Sequence, residues 1–358
     1  MNPRVAITLD QLYRPQPGGI ATYVRGLVTG LAALDERAPE LVGVAPRGRG
    51  DDVASLPLDR VVVPMAVELL TRLWSRWPVG VPGDCDVVHA SSLAGPLRGG
   101  RPEALHSVAL HDLLWRDEPG ASTARGVRFH EVRLNALRRR DEVRVVTTAP
   151  GLAERLVADG FAPGRIRPVH LGIDDAVEPA SADDVATLLS RYGVGAHYTL
   201  YVGTRQPRKN IDRLVRGHAL ARSRCDELGP LVLVGPSGWG GDDVGDALVL
   251  GAQSRALVKG LYRDATVVAY VPLAEGYGLP PVEALGVGAR VVASATTPSV
   301  AHNREVITVD PMEVESIRDG LIAAIALGDG DDFRRRRAES VSALTWRQCA
   351  LDHLAAWT

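Results

Sequence analysis

Lysine is nearly absent from this chain. Of its 41 basic residues only two are lysines, Lys209 and Lys259, so arginine supplies almost all of the positive charge. A lysine that is kept against such a bias invites a closer look, although two lysines can also survive by chance. The surrounding sequence therefore has to decide whether either lysine has a function.

Cysteine is also scarce. The three cysteines, Cys85, Cys225 and Cys349, lie far apart and lack the spacing of a metal site, which is typical of reduced thiols in a cytoplasmic protein. No apolar run reaches the roughly 18 residues that a membrane-spanning helix needs, and the N-terminus begins with a strand-like segment instead of a signal peptide. We expect a cytoplasmic protein that lies at most on the inner face of the membrane.

An excess of charge of one sign is missing too. The net charge of −2 implies no overall attraction to nucleic acid. Hydrophobic residues make up 46% of the chain and charged residues 23%, as in soluble globular proteins. At 358 residues the chain is too long for one ordinary core, so two domains are expected.

Two common nucleotide-binding motifs are absent. The first predicted strand is not followed by the G-x-G-x-x-G fingerprint, and no Walker A lysine pattern occurs. The glycine-rich segment 234–241 fits neither spacing, and we interpret it as a loop. A nicotinamide oxidoreductase and a P-loop nucleoside triphosphatase are therefore disfavoured.

Short β-branched runs alternate with amphipathic segments along the chain, which predicts parallel sheets built from βαβ units. Two alternations of similar size predict two Rossmann-like domains, with a boundary in the Gly-, Pro- and Asp-rich segment 168–184. The predicted strands are 5–9, 41–45, 60–64, 86–90, 107–111, 143–148, 199–203, 231–235, 266–271, 290–294 and 306–310, and the predicted helices are 20–34, 211–223, 256–264, 282–287, 314–327 and 346–357.

Glycines and cations follow two of the predicted strands. Gly18 and Gly19 precede the first helix, where their bare backbone can approach an anion at the helix N-terminus. Arg205, Arg208 and Lys209 lie in the loop after strand 199–203, ahead of a helix for which Asn210 is a plausible N-cap. Such a loop can hold a diphosphate. An ordinary glycine turn and a solvated basic loop are the alternatives.

His111 and Asp112 stand at the carboxyl end of strand 107–111, the edge where open α/β sheets bind ligands. The imidazole there can bond a sugar hydroxyl or stabilise developing charge. A satisfied core histidine beside a helix-capping aspartate fits the pattern equally well.

The stretch EGYGLPPVEAL, residues 275–285, places Glu275 in a loop and Glu283 eight positions later. Pro280 and Pro281 preset the first helical turn, which is expected to include Glu283. Two carboxylates around a helix start fit the hydroxyl groups of a ligand whose phosphates lie against the amides. A metal site is disfavoured because no other ligand residue accompanies the pair.

Taken together, these segments resemble the glycosyltransferase family 4 of retaining enzymes over essentially the whole chain. The resemblance rests chiefly on GGIATYVRGL (18–27), HDLLW (111–115), YVGTRQPRKN (201–210) and EGYGLPPVEALGVGARVVAS (275–294). It implies an α/β fold of the GT-B type, with two facing Rossmann-like domains. The implied domains are 1–172 on the acceptor side, 173–345 for the nucleotide sugar, and a helix 346–358 that crosses back to the first domain.

The resemblance also implies roles for individual residues. Glu283 would bind the ribose hydroxyls and Glu275 the hydroxyls of the donor sugar. Lys209, with Arg208 or Arg205, would neutralise the leaving diphosphate without a metal, and His111 and Asp112 would line the acceptor side. The other implied donor contacts are Gly18 and Gly19, which would close over the diphosphate, together with Gly203, Gly276, Tyr277, Gly278 and Leu279.

The activity so implied is retaining transfer of a hexose from a GDP-mannose or UDP-glucose type of donor to a hydroxyl acceptor, without cofactor or metal. The acceptor would be an oligosaccharide, a lipid-linked glycan or a small molecule. A nucleotide-sugar epimerase, a non-glycosidic coupling enzyme and a catalytically silent sugar-nucleotide-binding subunit remain alternatives.

Contact with a membrane surface is left open by the basic helical segment 124–140. Its apolar residues are Val127, Val132, Leu134 and Leu137. A solvated helix face and a peripheral lipid contact are both consistent with this pattern.

Overall fold

The computed structural model describes residues 2–15, 18–50, 53–118, 123–173, 177–238 and 244–358. The chain divides into two compact units. Unit 1 consists of Met1–Gly172 together with Leu344–Thr358, and unit 2 of Ile173–Ala343. Across the described ranges no helix combines the length and the apolarity needed to span a bilayer.

Unit 1 is built on a parallel sheet of seven strands in the order β3-β2-β1-β4-β5-β6-β7. The central strands are buried on both faces and rich in valine, as expected where helices cover a parallel sheet on both sides. The strands are β1 (Arg4–Thr8), β2 (Glu40–Pro46), β3 (Asp59–Val63), β4 (Val87–Ala90), β5 (Leu105–Leu110), β6 (Val143–Thr147) and β7 (Ile166–Pro168).

Five helices of unit 1 connect these strands. Their apolar faces cover the sheet; Leu134 and Leu137, for example, pack in one core cluster with Val108 and Val145. The helices are α1 (Gly18–Ala32), α2 (Val67–Leu73), α3 (Leu114–Asp117), α4 (Ala124–Arg138) and α5 (Leu152–Ala158).

Unit 2 repeats the plan with six parallel strands in the order β10-β9-β8-β11-β12-β13. Its strands are β8 (Thr199–Val202), β9 (Leu231–Val234), β10 (Leu248–Gly251), β11 (Val267–Tyr270), β12 (Val291–Ser294) and β13 (Val306–Val309). Its helices are α6 (Ala182–Ser190), α7 (Ile211–Arg222), α8 (Arg255–Asp264), α9 (Leu279–Gly286), α10 (Val314–Ala326) and α11 (Asp331–Glu339).

In each sheet the strand order reverses once. The chain builds outward from β1 to β3 and then returns to place β4 on the other side of β1, and it does the same around β8 with β11. Loops that leave the two central strands diverge to opposite sides, which opens a crevice at the carboxyl ends. Polar side chains at these two points are therefore the first candidates for a ligand site.

The last helix of the chain, α12 (Trp346–Ala356), belongs to unit 1 and packs along α1. The contact requires glycine on α1. A Cβ at Gly26 would lie 2.1 Å from the Trp346 ring, and a Cβ at Gly30 would lie 2.2 Å from the Trp346 carbonyl oxygen. The return of the C-terminal helix to the first domain, predicted from the resemblance, is confirmed.

A buried tyrosine joins α1 to β4 and α12. The Tyr23 hydroxyl lies 2.7 Å from Nε2 of His89 and 2.8 Å from Nε2 of His353, and all three side chains are fully buried. Burial lowers the pKa of both histidines, to about 4 for His353. Both rings are therefore neutral at physiological pH.

The outer partners of the two rings fix their tautomers. Nδ1 of His353 lies 2.7 Å from the Cys349 carbonyl oxygen, so Nδ1 carries the proton and Nε2 accepts from Tyr23. His89 must then donate from Nε2, while its Nδ1 accepts from the Ser107 hydroxyl at 2.8 Å. Ser107 accepts in turn from the Trp357 indole at 2.9 Å. This chain of hydrogen bonds is complete only while both histidines are neutral.

The structure confirms the parallel βαβ architecture and adds two strands, β7 and β10, that the sequence did not predict. Both are edge strands of three and four residues, and such short elements show little periodicity. β10 also follows the glycine-rich segment 234–241, part of which lies outside the described residues.

We expect Gly30→Ala to destabilise unit 1 because the added methyl group meets backbone rather than a movable side chain. Unfolding in urea should show a loss of about 1 to 3 kcal/mol, the range for overpacked cores. Thr29→Ala on the exposed side of α1 is the matched control and should change the unfolding free energy by less than about 0.5 kcal/mol. Equal effects of the two substitutions would contradict the packing account.

Candidate functional site

The predicted cations and the first carboxylate come together where the strand order of unit 2 reverses. Lys209 and Arg208 lie in the loop between β8 and α7, and Glu275 lies in the loop between β11 and α9. The two loops are also tied by their backbones, since the Leu273 amide donates to the Arg208 carbonyl at 2.8 Å. The fold thus brings Lys209 and Glu275 into contact although they are 66 residues apart in the sequence.

Glu275 is the centre of an ion cluster. Nη1 of Arg208 lies 3.1 Å from both carboxylate oxygens, and the Lys209 ammonium donates to Oε2. The side chains of Lys209 and Glu275 are only 9% and 10% exposed. At such burial the charges are poorly screened, so their mutual attraction is strong.

The pKa of Glu275 shows which influence dominates. Burial alone would raise it, but the charges of Lys209 and Arg208 outweigh burial and lower the pKa to about 2. The carboxylate is therefore ionised throughout the physiological range. It can accept hydrogen bonds from hydroxyl groups but cannot act as a general acid.

Tyr270, the last residue of β11, completes the cluster. Its hydroxyl accepts from the Lys209 ammonium and donates to Glu275, and its ring stacks on Tyr201 with centroids 6.1 Å apart. The Lys209 ammonium also lies 4.8 Å from the centroid of the Tyr270 ring. The sequence analysis missed Tyr270. Its position at the end of a buried strand, directly before the loop of Glu275, could have indicated it.

Asn210 does not act as the side-chain N-cap that the sequence suggested. Its backbone is left-handed, with φ of 61°, and its side chain makes no capping bond. The amide instead donates to the carbonyls of Val271 at 3.0 Å and Pro311 at 2.7 Å. Asn210 thus anchors the loop that presents Lys209 to the ends of two other strands.

The start of α9 has the predicted glycine and proline pattern. Gly278 is left-handed, with φ of 91°, and precedes a first turn that contains Pro280 and Pro281. Ser299 clamps the turn by donating to the carbonyls of Tyr277 at 2.9 Å and Gly278 at 2.6 Å. The helix dipole of α9 therefore points its positive end toward the loop of Glu275. The Gly276 amide donates to Glu275 at 3.1 Å, so in this structure it faces the carboxylate.

Glu283 is the fifth residue of α9 and lies in its second turn, not in the first turn as predicted. The helix begins at Leu279, three residues earlier than the sequence pattern indicated, which moves Glu283 along the axis. Burial raises the pKa of Glu283, although the Tyr262 hydroxyl donates to it at 3.4 Å. Lys259 also acts on this carboxyl, because its charge opposes the rise in pKa. The second lysine of the chain thus lies near the second carboxylate.

The neighbouring loop after β9 runs beside the loop after β8. Arg205 pairs through its backbone with Ser237, and its amide donates to the Pro236 carbonyl at 3.3 Å. Gly203 has φ of +154°, and a Cβ there would lie 2.8 Å from the Tyr201 hydroxyl. Gly203 is therefore required where the backbone crosses the stacked tyrosines.

The candidate residues His111 and Asp112 of unit 1 form hydrogen bonds with other residues of the same unit. His111 has Nε2 at 2.9 Å from the Ser91 carbonyl oxygen and Nδ1 at 3.0 Å from the Thr148 hydroxyl, and burial lowers its pKa. Both ring nitrogens are thus used in the neutral ring, as in the alternative of a satisfied histidine. Asp112 accepts at 3.0 Å from the amide of Leu114, the first residue of the short helix α3, whose N-cap position is Leu113.

Gly18 and Gly19 are the first two residues of α1. Gly18 is left-handed, with φ of +61°, and a Cβ there would meet no atom within 4 Å. Conformation rather than crowding therefore favours glycine at this position.

The part of the chain that the structure describes contains no group of three or more His, Cys, Asp or Glu side chains arranged to hold a metal ion. The cations of the site are instead supplied by Lys209 and Arg208. They can neutralise an anionic ligand directly.

Comparison with known proteins first defines the class of fold. HepE from Anabaena, solved in complex with UDP and glucose, matches 99% of the chain and 99% of its own length with a TM-score of 0.68, at 14% identity. At this identity the likeness shows the fold alone. The chain has the GT-B fold of glycosyltransferases, as predicted.

Sequence relatives are of the same class. The chain is 26% identical over 210 residues to the O-antigen chain mannosyltransferase B of Escherichia coli, and 31% identical over 227 residues to the D-inositol 3-phosphate glycosyltransferase of Mycobacteroides abscessus. The matches include 54% and 58% of this chain and 54% and 49% of the relatives, so the chain spans about half the length of each. No protein-family model matches. The resemblance to glycosyltransferases drawn from the motifs is confirmed.

We expect Glu275→Gln to lower the unfolding free energy at neutral pH by about 3 to 5 kcal/mol, as when one partner is removed from a buried ion pair. The folded-state pKa of about 2 lies below the ordinary value of 4.5, so this stabilisation is present above pH 4.5 and is lost as the pH falls toward 2. Urea unfolding should therefore show the gap between wild type and variant narrowing over that interval.

Glu339→Gln makes the same chemical change in an exposed ion pair, 3.7 Å from Arg335. It should alter the unfolding free energy by less than about 1 kcal/mol at any pH. A gap between wild type and Glu275→Gln that does not change with pH would refute the proposed charge balance.

Proposed function

We propose that the protein transfers a hexose from a nucleoside-diphosphate sugar to a hydroxyl acceptor, with retention of anomeric configuration and without a metal ion. The observation that carries this proposal is the pair of partly buried cations, Lys209 and Arg208, held at the strand-order reversal of unit 2 beside Glu275. A diphosphate leaving group needs positive charge fixed before the reaction, in a poorly solvated place.

Lys209 and Arg208 are both paired with Glu275 in this structure. A donor brings a diphosphate that competes for Lys209 and Arg208, and it brings sugar hydroxyls that can donate to the released carboxylate. A carboxylate accepts hydrogen bonds at both oxygens, so Glu275 suits the recognition of hydroxyl groups. When the donor replaces the ion pairs, the two cations would bind its diphosphate and Glu275 would bind its sugar hydroxyls.

Glu283 suits the ribose. A carboxylate accepts from both hydroxyls of a diol, and Glu283 lies on α9 beside the Tyr262 hydroxyl. The start of α9 between the two carboxylates adds the positive end of a helix dipole toward the diphosphate.

The same set of groups is proposed to support retention without a metal ion. Lys209 and Arg208 would stabilise charge on the departing diphosphate, and the acceptor hydroxyl would attack from the face that the diphosphate leaves. The departing phosphate would take the acceptor proton, because it lies on the face from which the acceptor hydroxyl attacks. The donor roles of Gly18, Gly19 and Gly203, the acceptor roles of His111 and Asp112, and the help of Arg205 remain predictions from the resemblance.

The donor is proposed to be of the GDP-mannose or UDP-glucose type. A relative is named a mannosyltransferase, and a protein of the same fold was solved with UDP and glucose. The proposed acceptor is a saccharide, lipid-linked glycan or small-molecule hydroxyl. An epimerase on the same fold would convert the donor without any acceptor, which separates it from a transferase.

The test is transfer or hydrolysis across a panel of GDP-, UDP- and dTDP-hexoses. Lys209→Met should lower kcat by roughly 10²- to 10³-fold, the usual loss when one stabilising donor is removed from a developing anion. Glu283→Gln should chiefly raise the KM for the donor, because ribose binding is lost equally before and during reaction.

Arg216→Met, an exposed arginine on α7, is the matched control and should retain wild-type kinetics. NMR of the product should show the anomeric configuration of the donor, and EDTA should leave the rate unchanged. Full activity of Lys209→Met, or epimerisation of the donor in the absence of acceptor, would contradict the proposal.

A further inference from the structure

A groove of about 490 Å³ lies in unit 1 between α4 and the end of α2 with the residues that follow it. The positively charged side chains around it are exposed, and among the described residues that line it none is acidic. Its principal lining residues are Arg72, Arg76, Trp77, Arg125, Arg128 and Phe129.

The base of the groove adds a further positive charge. Arg133 is buried, and its guanidinium donates to the carbonyls of Leu93 and Gly95. Burial lowers its pKa to about 10, which still leaves it charged at neutral pH. The acidic side chains on the same two helices are directed elsewhere: Glu131 accepts from Arg116 and Trp115, and Glu68 lies 4.0 Å from Arg14.

The rim of the groove is apolar and exposed. Trp77 and Val132 are 55% and 58% exposed, and Leu69, three residues before Arg72 on α2, is 49% exposed. Large apolar side chains in water beside a ring of cations mark an interaction surface. The other apolar residues of segment 124–140 do not contribute, because Leu134 and Leu137 are buried in the core and Val127 packs against it.

We propose that this surface docks unit 1 on an anionic membrane, with the arginines at the phosphate headgroups and Trp77, Val132 and Leu69 in the interface. Any polyanion could engage the arginines, but exposed aliphatic side chains gain from a surface that removes them from water. Tryptophan also favours the headgroup level of a bilayer. The proposal stands apart from the donor site and goes beyond the transfer reaction.

Vesicle flotation tests the electrostatic part. The wild-type protein should float with vesicles of phosphatidylcholine and phosphatidylglycerol in equal amounts, and not with phosphatidylcholine alone. Each arginine at an anionic surface contributes roughly fivefold to binding. The double variant Arg72→Ser with Arg128→Ser should therefore bind roughly 30-fold more weakly, by the same estimate.

Arg216→Ser, an exposed arginine of unit 2, is the matched control and should float like the wild type. Transfer to a water-soluble acceptor should be unchanged in the double variant, so failure of docking and failure of the proposed reaction can be told apart. Binding of the wild type to DNA or polyphosphate, with no flotation on the anionic vesicles, would assign the groove to a soluble polyanion and overturn the membrane proposal.

Tryptophan fluorescence tests the apolar part. Trp74, Trp115, Trp346 and Trp357 are at most 7% exposed, so Trp77 is the exposed one among the tryptophans that the structure describes. Lipids brominated near the headgroup should quench the wild-type emission on vesicle binding, and Trp77→Phe should remove that quenching while it retains most of the binding. Quenching that persists in Trp77→Phe, or no flotation of the wild type, would refute the proposed surface.

Discussion

The ion cluster of Glu275 with Lys209 and Arg208 is the interaction on which the candidate site depends. It joins the loops that leave the two central strands of unit 2, exactly where a parallel sheet opens a crevice. The same contact keeps two cations in a place where, unpaired, they would be strongly unfavourable. Tyr270 and Asn210 then fix the geometry, one by bonding to both charges and one by anchoring the loop.

Unit 1 uses its polar side chains differently. Its buried histidines form internal hydrogen bonds as neutral rings, and the bonds of Tyr23 with His89 and His353 fasten the C-terminal helix to the sheet. His111 likewise has both ring nitrogens engaged. These histidines have a structural role, because both ring nitrogens of each neutral ring are already used in internal hydrogen bonds. The arginines that line the groove lie on or just after α2 and on α4.

Much of the fold could be predicted from the sequence, because βαβ alternation and strand-end glycines are local patterns. The short edge strands β7 and β10 could not, since a few residues carry no periodicity. In the site, the residue types of Lys209, Arg208 and Glu275 indicated the chemistry, but their pairing required the fold. Tyr270 was missed because a strand-ending tyrosine looks like core. The turn of Glu283 was misplaced because the helix starts at Leu279, before the two prolines.

The most direct measurement is calorimetric binding of GDP and UDP to the wild type, Lys209→Met and Glu275→Gln. If Glu275 and a diphosphate compete for the same two cations, then Lys209→Met should weaken nucleotide binding by about tenfold or more, as expected for a lost charge-assisted bond. Glu275→Gln should tighten it, because the competing carboxylate is removed. Unchanged affinity in both variants, or weaker binding in Glu275→Gln, would contradict the account.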